Sequence, residues 1–78
     1  MVGKVVSLLY RQDMKKGGVT LLTIHASFTS AMQHMREEAD YYESKGYVVE
    51  RNNDRSFIVM AVDKPLWYYF ISSRTIDK

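Results

Sequence analysis

The sequence predicts a single α+β domain in which five mainly antiparallel strands and one helix follow in the order ββαβββ. Residues 66–71 contain four consecutive aromatic residues and offer no polar face, which is typical of a strand rather than a helix. Apolar residues recur every three or four positions over residues 28–42, as expected for a helix packed along one side. Residues that favour turns separate the other apolar runs.

The first two strands are predicted at residues 5–10 and 19–26, where side chains alternate between two faces. The connection at residues 12–18 contains Gly17 and Gly18, and glycine adopts positive φ without steric cost. The sequence therefore predicts a β-hairpin with a long connection.

The helix is predicted from about residue 30 to residue 44. Three hydroxyl side chains near its start can accept hydrogen bonds from the free backbone N–H groups: Ser27, Thr29 and Ser30. Lys45 and Gly46 are expected to end the helix, with the glycine in a left-handed cap.

The last three strands are predicted from short apolar runs separated by two turns. They lie at residues 47–51, 56–62 and 66–73. The turn at residues 63–65 ends in Pro65, which cannot donate to a ladder, so the fifth strand is expected to start after it. The polar residues 74–78 are expected to fray at the end of a single domain spanning residues 1–78.

The direction of each connection predicts the strand order 2-1-5-4-3. In that order the fourth and fifth strands, which are apolar on both faces, lie inside the sheet. Glu50 and Arg51 of the third strand then lie on an edge, where charged residues discourage unwanted pairing. The order 2-1-3-4-5 is also antiparallel, but it places the aromatic strand on an edge.

Composition excludes several classes of protein. The chain has no Cys, so disulfide bonds and thiolate metal sites are excluded, and a reducing cytoplasmic location is expected. Its start does not read as a secretory signal peptide, and its longest apolar runs have six residues, far too few to span a membrane. With 11 Lys and Arg against 9 Asp and Glu, the net charge of +2 is too small for a dedicated nucleic-acid binder.

Large side chains on both faces of the last two strands predict a binding surface. One helix covers one face of a five-stranded sheet, so the second face needs another cover. We expect the face of the fifth strand that carries Trp67, Tyr69 and Ile71 to point outward, because Trp is rarely fully buried in a small domain. The predicted partner-binding residues are Trp67, Tyr69 and Ile71, with Ile58 and Met60 beside them.

No pattern in the sequence predicts catalysis, a cofactor or a metal. No Ser lies in a nucleophile elbow, and no pair of carboxylates has a shared cleft that the sequence can define. His25 and His34 lie on different predicted elements, without a second ligand at helical spacing. We therefore expect a protein that is not an enzyme.

The sequence favours a small cytoplasmic protein-binding module, expected to be a homodimer. By compositional analogy alone it resembles accessory proteins of phages and mobile elements that bind and inhibit a larger host protein. One alternative is a nucleic-acid-binding module, in which an aromatic sheet face would combine with Lys15, Lys16 and Arg55. Another alternative is a small regulatory subunit of a larger assembly.

Overall fold

The fold is a five-stranded antiparallel sheet with one helix, and the computed structural model describes residues 4–53, 55–62 and 64–76. The elements are β1 (Lys4–Asp13), β2 (Val19–His25), α1 (Phe28–Ser44), β3 (Val48–Asn53), β4 (Ser56–Ala61) and β5 (Lys64–Ile76). The strand order is β2-β1-β5-β4-β3, and each neighbouring pair is antiparallel. The predicted fold class and strand order are confirmed.

The core lies between α1 and one face of the sheet. Three small or flexible side chains of the helix, spaced four residues apart, are buried against that face: Ala31, Met35 and Ala39. The sheet contributes its own buried apolar side chains from the three central strands: Leu9, Phe57, Val59, Tyr69 and Ile71. The small helical residues let the helix approach the large aromatic side chains of the sheet.

The ends of α1 follow from local capping. Ser27 is the N-cap, because its side chain accepts a hydrogen bond of 3.1 Å from the backbone N–H of Ser30. The helix therefore begins at Phe28, two residues before the predicted start. Gly46 follows the helix with φ of +92°, as predicted for a left-handed cap.

β5 is longer than predicted at both ends. It starts before Pro65, at a bulge where the register with β4 shifts between Val59 and Met60. A bulge tolerates proline, because the ladder hydrogen bond that proline cannot donate is already interrupted there. At the other end, Arg74 and Thr75 pair with Val6 and Val5. The predicted frayed tail is therefore wrong for residues 74–76, while residues 77–78 lie outside the described part.

The turn after β4 contains a strained residue. Val62 has φ of +48° and its side chain is 91% exposed, so β4 ends at Ala61 and not at residue 62 as predicted. Positive φ is costly for a β-branched residue, and this side chain gains little packing in return.

Replacing Val62 by asparagine is expected to raise the free energy of unfolding by about 1 kcal/mol, because asparagine tolerates positive φ better. Urea unfolding followed by circular dichroism measures the change. Val5→Asn is the control, since Val5 is also exposed (61%) but lies within β1. If Val5→Asn raised the free energy of unfolding, or Val62→Asn lowered it, backbone strain at Val62 would not explain the change.

The molecule has two layers, and none of the residues 4–53, 55–62 and 64–76 covers the far side of the sheet. Its shortest dimension is 17 Å, which suits one helix packed on one sheet. Its accessible surface is 5453 Å². A compact monomer of this mass is expected to expose roughly 4,900 Å². The accessible surface is larger than the expected value, as it should be for a sheet with one open face.

Candidate protein interface on the open face of the sheet

The aromatic run in β5 is divided between the two faces of the sheet. Tyr69 is fully buried, and its ring stacks on Phe57 with centroids 4.6 Å apart. Ile71 is buried on the same side, and Trp67 packs against the same core. The prediction that Trp67, Tyr69 and Ile71 face outward is therefore wrong. Their neighbours in the strand take that position, because successive side chains point to opposite faces.

The side chains on the uncovered side form a surface that we call the open face. It consists of Leu8 and Tyr10 of β1, Leu21 and Ile24 of β2, Val48 of β3, Ile58 and Met60 of β4, and Tyr68 and Phe70 of β5. Register places these residues opposite one another, as in the pairs Leu8–Ile24, Tyr10–Phe70 and Ile58–Tyr68. Of the five predicted partner-binding residues, the open face includes Ile58 and Met60.

The middle of the open face is an aromatic stack. The rings of Tyr10 and Phe70 lie 5.1 Å apart with an interplanar angle of 16°, and those of Tyr68 and Phe70 lie 5.3 Å apart at 25°. Tyr10 stacks on Phe70 across two neighbouring strands, and Tyr68 stacks on Phe70 within β5, so all three rings are half-buried although no other described residue forms a layer above them. The stacking contacts restrict the conformations open to the three side chains.

The outer strands extend this apolar surface to both edges of the sheet. Ile24 is 63% exposed, Val48 is 61% exposed and Leu21 is 44% exposed. Scattered apolar residues are common on protein surfaces, but these three are continuous with the aromatic stack. A continuous patch of this kind is typical of an interaction site.

Charged side chains lie at the margins of the open face. Alternation along the strands places Lys4 and Arg74 at one end, each four residues beyond the last member of the open face on its strand. Glu50 lies opposite Ile58 on the edge strand β3. An apolar centre with a charged rim is the arrangement found in protein–protein interfaces.

The predicted nucleic-acid contacts lie on two separate segments, and one of them is on the helix side of the sheet. The Arg55 guanidinium lies 4.8 Å from the ring centroid of Phe28, on the helix side of the sheet. Lys15 and Lys16 lie in the loop after β1, where their backbone N–H groups donate to the Asp13 carboxylate at 2.9 and 3.1 Å. These hydrogen bonds lower the pKa of Asp13, which therefore keeps a negative charge beside the two lysines.

A polar cluster lies at the other side of the sheet, between β5, β1 and α1. The Tyr69 hydroxyl donates to Glu38 Oε1 at 3.1 Å and lies 2.9 Å from the Tyr42 hydroxyl. The Arg11 guanidinium lies 4.5 Å from the Trp67 ring centroid, and hydrogen bonding to Tyr69 raises the pKa of Arg11. The sequence analysis missed this cluster, although Glu38 and Tyr42 are four residues apart and so share a helix face.

Burial, followed by the hydrogen bond with Tyr42, raises the pKa of Tyr69 well above its ordinary value of 10.0. Stabilisation by a raised pKa is fully present below the unfolded pKa and is lost as pH rises above it, because only the unfolded chain releases the proton. As pH rises above about 10, the free energy of unfolding should therefore fall less steeply for Tyr69→Phe than for the wild type.

Urea unfolding between pH 8 and pH 11, at one protein concentration, measures this difference. Tyr41→Phe is the control, because Tyr41 is 55% exposed. Its stability should follow that of the wild type across the pH range. Parallel curves for the wild type and Tyr69→Phe would contradict the linkage.

The two histidines meet in the structure, although the sequence places them on different elements. Thr23 Oγ1 lies 2.8 Å from His25 Nε2 and 3.3 Å from His34 Nδ1, while His25 Nδ1 lies 2.8 Å from Ser30 Oγ. These contacts attach the end of β2 to the first turns of α1. Within the described residues, no group of three or more His, Asp and Glu side chains is placed to hold a metal ion.

Comparisons of the chain with protein-family models, with curated proteins and with solved structures find no match. In the part of the chain that the structure describes, no helix is long and apolar enough to cross a membrane. The fold defines this protein as a small α+β domain, and one face of its sheet is left uncovered by the residues that the structure describes.

Proposed function

We propose that this protein is a small protein-binding module and that the open face is its binding surface. The observation that supports this proposal is the continuous apolar patch that crosses all five strands, with the stacked rings of Tyr10, Phe70 and Tyr68 at its centre. Aromatic residues and Met are enriched where proteins meet, and aromatic anchors supply most of the binding energy there. An inhibitor of a larger protein and a subunit of an assembly would both use such a surface.

The energetic argument concerns what an uncovered patch costs a domain of 78 residues. Complete burial of one large apolar side chain is worth about 1.5–3 kcal/mol relative to exposure. A domain of this size has only about 5–10 kcal/mol of stability in total. Covering the half-exposed side chains of the open face therefore contributes a gross free energy of the same order as that of folding, from which the entropic cost of association is subtracted.

Charge favours a protein partner over a nucleic acid. Single-strand binders place their aromatic platform in a basic groove that follows the phosphates. Here Arg55 lies on the opposite side of the sheet, and Glu50 borders the open face. The basic residues at its margin, Lys4 and Arg74, are confined to one end.

Photo-crosslinking tests the proposed class of partner. Benzoylphenylalanine in place of Tyr68 should give a discrete cross-linked product that contains only protein, whether its partner is another copy or a different protein. The same group in place of Tyr41, on the exposed side of α1, is the control and should give none.

A binding experiment with single-stranded DNA tests the nucleic-acid alternative. At about 150 mM salt the DNA should neither be retarded by the protein nor reduce cross-linking from residue 68. DNA binding that falls steeply with salt and blocks that cross-link would support the nucleic-acid alternative and contradict the proposal.

A further inference from the structure

We infer that the partner on the open face is a second copy of this chain, so that two sheets pack face to face with both helices outside. This inference rests on the proposed function, since it names the partner of the same surface. Closed twofold dimers are the commonest form of association among soluble proteins, and a twofold interface brings one patch against itself. The open face has the area and the composition that this arrangement needs.

The area of the open face reaches what a stable dimer requires. The middle dimension of the molecule is 24 Å, which matches five strands spaced about 4.8 Å apart. Along β1 the same side of the sheet runs from Val6 through Leu8 and Tyr10 to Gln12, which at about 3.4 Å per residue gives a similar length when both flanking residues are included. The two copies together would bury roughly 1,200 Å², the lower limit for specific, stable interfaces.

The composition of the open face favours a permanent interface. Its nine members carry no charge, and the charged residues on the same side of the sheet, Lys4, Glu50 and Arg74, lie at its margins. Surfaces that bind a partner transiently are, by contrast, as polar as the rest of the protein. An apolar surface gains free energy from being covered as soon as the chain folds. A second copy is the one partner that is always synthesised together with the first.

Polar groups on the same face can be satisfied in such a dimer. Tyr10 and Tyr68 carry hydroxyl groups that need partners when water is excluded. Gln12 and Ser72 lie on the same face of the adjoining strands, opposite Tyr68 and Leu8 in the register. A twofold axis in the plane of the interface brings these groups from one copy towards the hydroxyls of the other. The two sheets would lie about 10 Å apart.

The edges of the sheet offer a different route to self-association. β2 carries neither a charged residue nor proline over Val19–His25, so its free edge is less protected than usual. On the opposite edge, Arg51 of β3 binds Asp40 and Glu43 of α1 at 3.5 and 3.2 Å. Edge pairing through β2 would leave the open face uncovered, so the experiment must separate the two modes.

Light scattering on the purified chain tests the dimer. At about 10 µM the mass should be twice the 9.1 kDa of one chain. Tyr68→Ser should weaken the dimer about 100-fold or more, because each twofold interface loses two aromatic anchors. Val48→Lys should also weaken the dimer. Because Val48 is exposed and its side chain is not needed for folding, this variant replaces Tyr68→Ser if Tyr68→Ser fails to fold.

Two controls identify the surface. Tyr41→Ser removes an exposed tyrosine of α1, and Thr20→Lys adds a charge to the exposed side of β2 away from the open face. Both variants should remain dimers. A dimer broken by Thr20→Lys but not by Tyr68→Ser or Val48→Lys would show edge pairing and overturn the inference.

The dye bis-ANS, which fluoresces on apolar surfaces, separates failure of the inference from failure of the proposed function. If the wild type is a monomer that binds the dye and the Tyr68→Ser variant does not bind it, a second copy is excluded as the partner. The open face would then remain a site for a different protein. A wild-type monomer that does not bind the dye would contradict both.

Discussion

Replacing Tyr69 by alanine is expected to lower the free energy of unfolding by about 3–5 kcal/mol, which would leave a domain of this size largely unfolded. Tyr69 is fully buried, and its ring stacks on Phe57 at 4.6 Å. Alanine would leave a cavity under α1, and Glu38 and Tyr42 would lose the hydroxyl that binds both of them. Cavity and lost hydrogen bonds act in the same direction.

Urea unfolding followed by circular dichroism measures this loss. Tyr41→Ala is the matched control, because it removes the same atoms from an exposed position and should change stability by less than about 0.5 kcal/mol. If Tyr69→Ala unfolds within about 1 kcal/mol of the wild type, the assignment of Tyr69 to the core is wrong.

Replacing Phe70 by alanine is expected to have the opposite profile, although Phe70 is the next residue in β5. Its ring stacks between Tyr10 and Tyr68 on the open face and is only half-buried in one chain. The isolated chain should therefore lose only about 1–1.5 kcal/mol of unfolding free energy. Association should weaken about 100-fold or more, since both copies lose a central anchor.

Sedimentation equilibrium over a range of concentrations gives the dissociation constant, and urea unfolding below that constant gives the stability of one chain. The pair Tyr69→Ala and Phe70→Ala thus separates folding from association within two adjacent residues. Equal losses of stability in the two variants, with association unchanged by Phe70→Ala, would contradict the division of β5 between core and open face.

Strand order could be predicted because few connections are compatible with the elements. The helix returns the chain to start β3 in the same sense as β2, and hairpins join β3, β4 and β5. Charged residues in β3 and their absence from β4 then placed β3 on an edge. These constraints are local in sequence, so the sequence alone resolves them.

The face taken by each residue of β5 could not be predicted. β4 and β5 are apolar on both faces, so alternation does not show which parity meets the helix. The general tendency of Trp to remain partly exposed pointed to the wrong face. Trp67 satisfies that tendency on the helix side, where its ring is half-buried beneath the Arg11 guanidinium. Contacts between distant elements, such as Tyr69 with Glu38, leave little trace in sequence.

Thiol labelling tests most directly whether the open face is a protein interface. The chain has no Cys, so Met60→Cys and Tyr41→Cys each introduce a single thiol, on the open face and on the exposed side of α1. The interface account predicts that maleimide labelling of residue 60 slows as protein concentration rises, while labelling of residue 41 stays constant. Labelling of residue 60 that is fast at every concentration, with or without other proteins present, would contradict it.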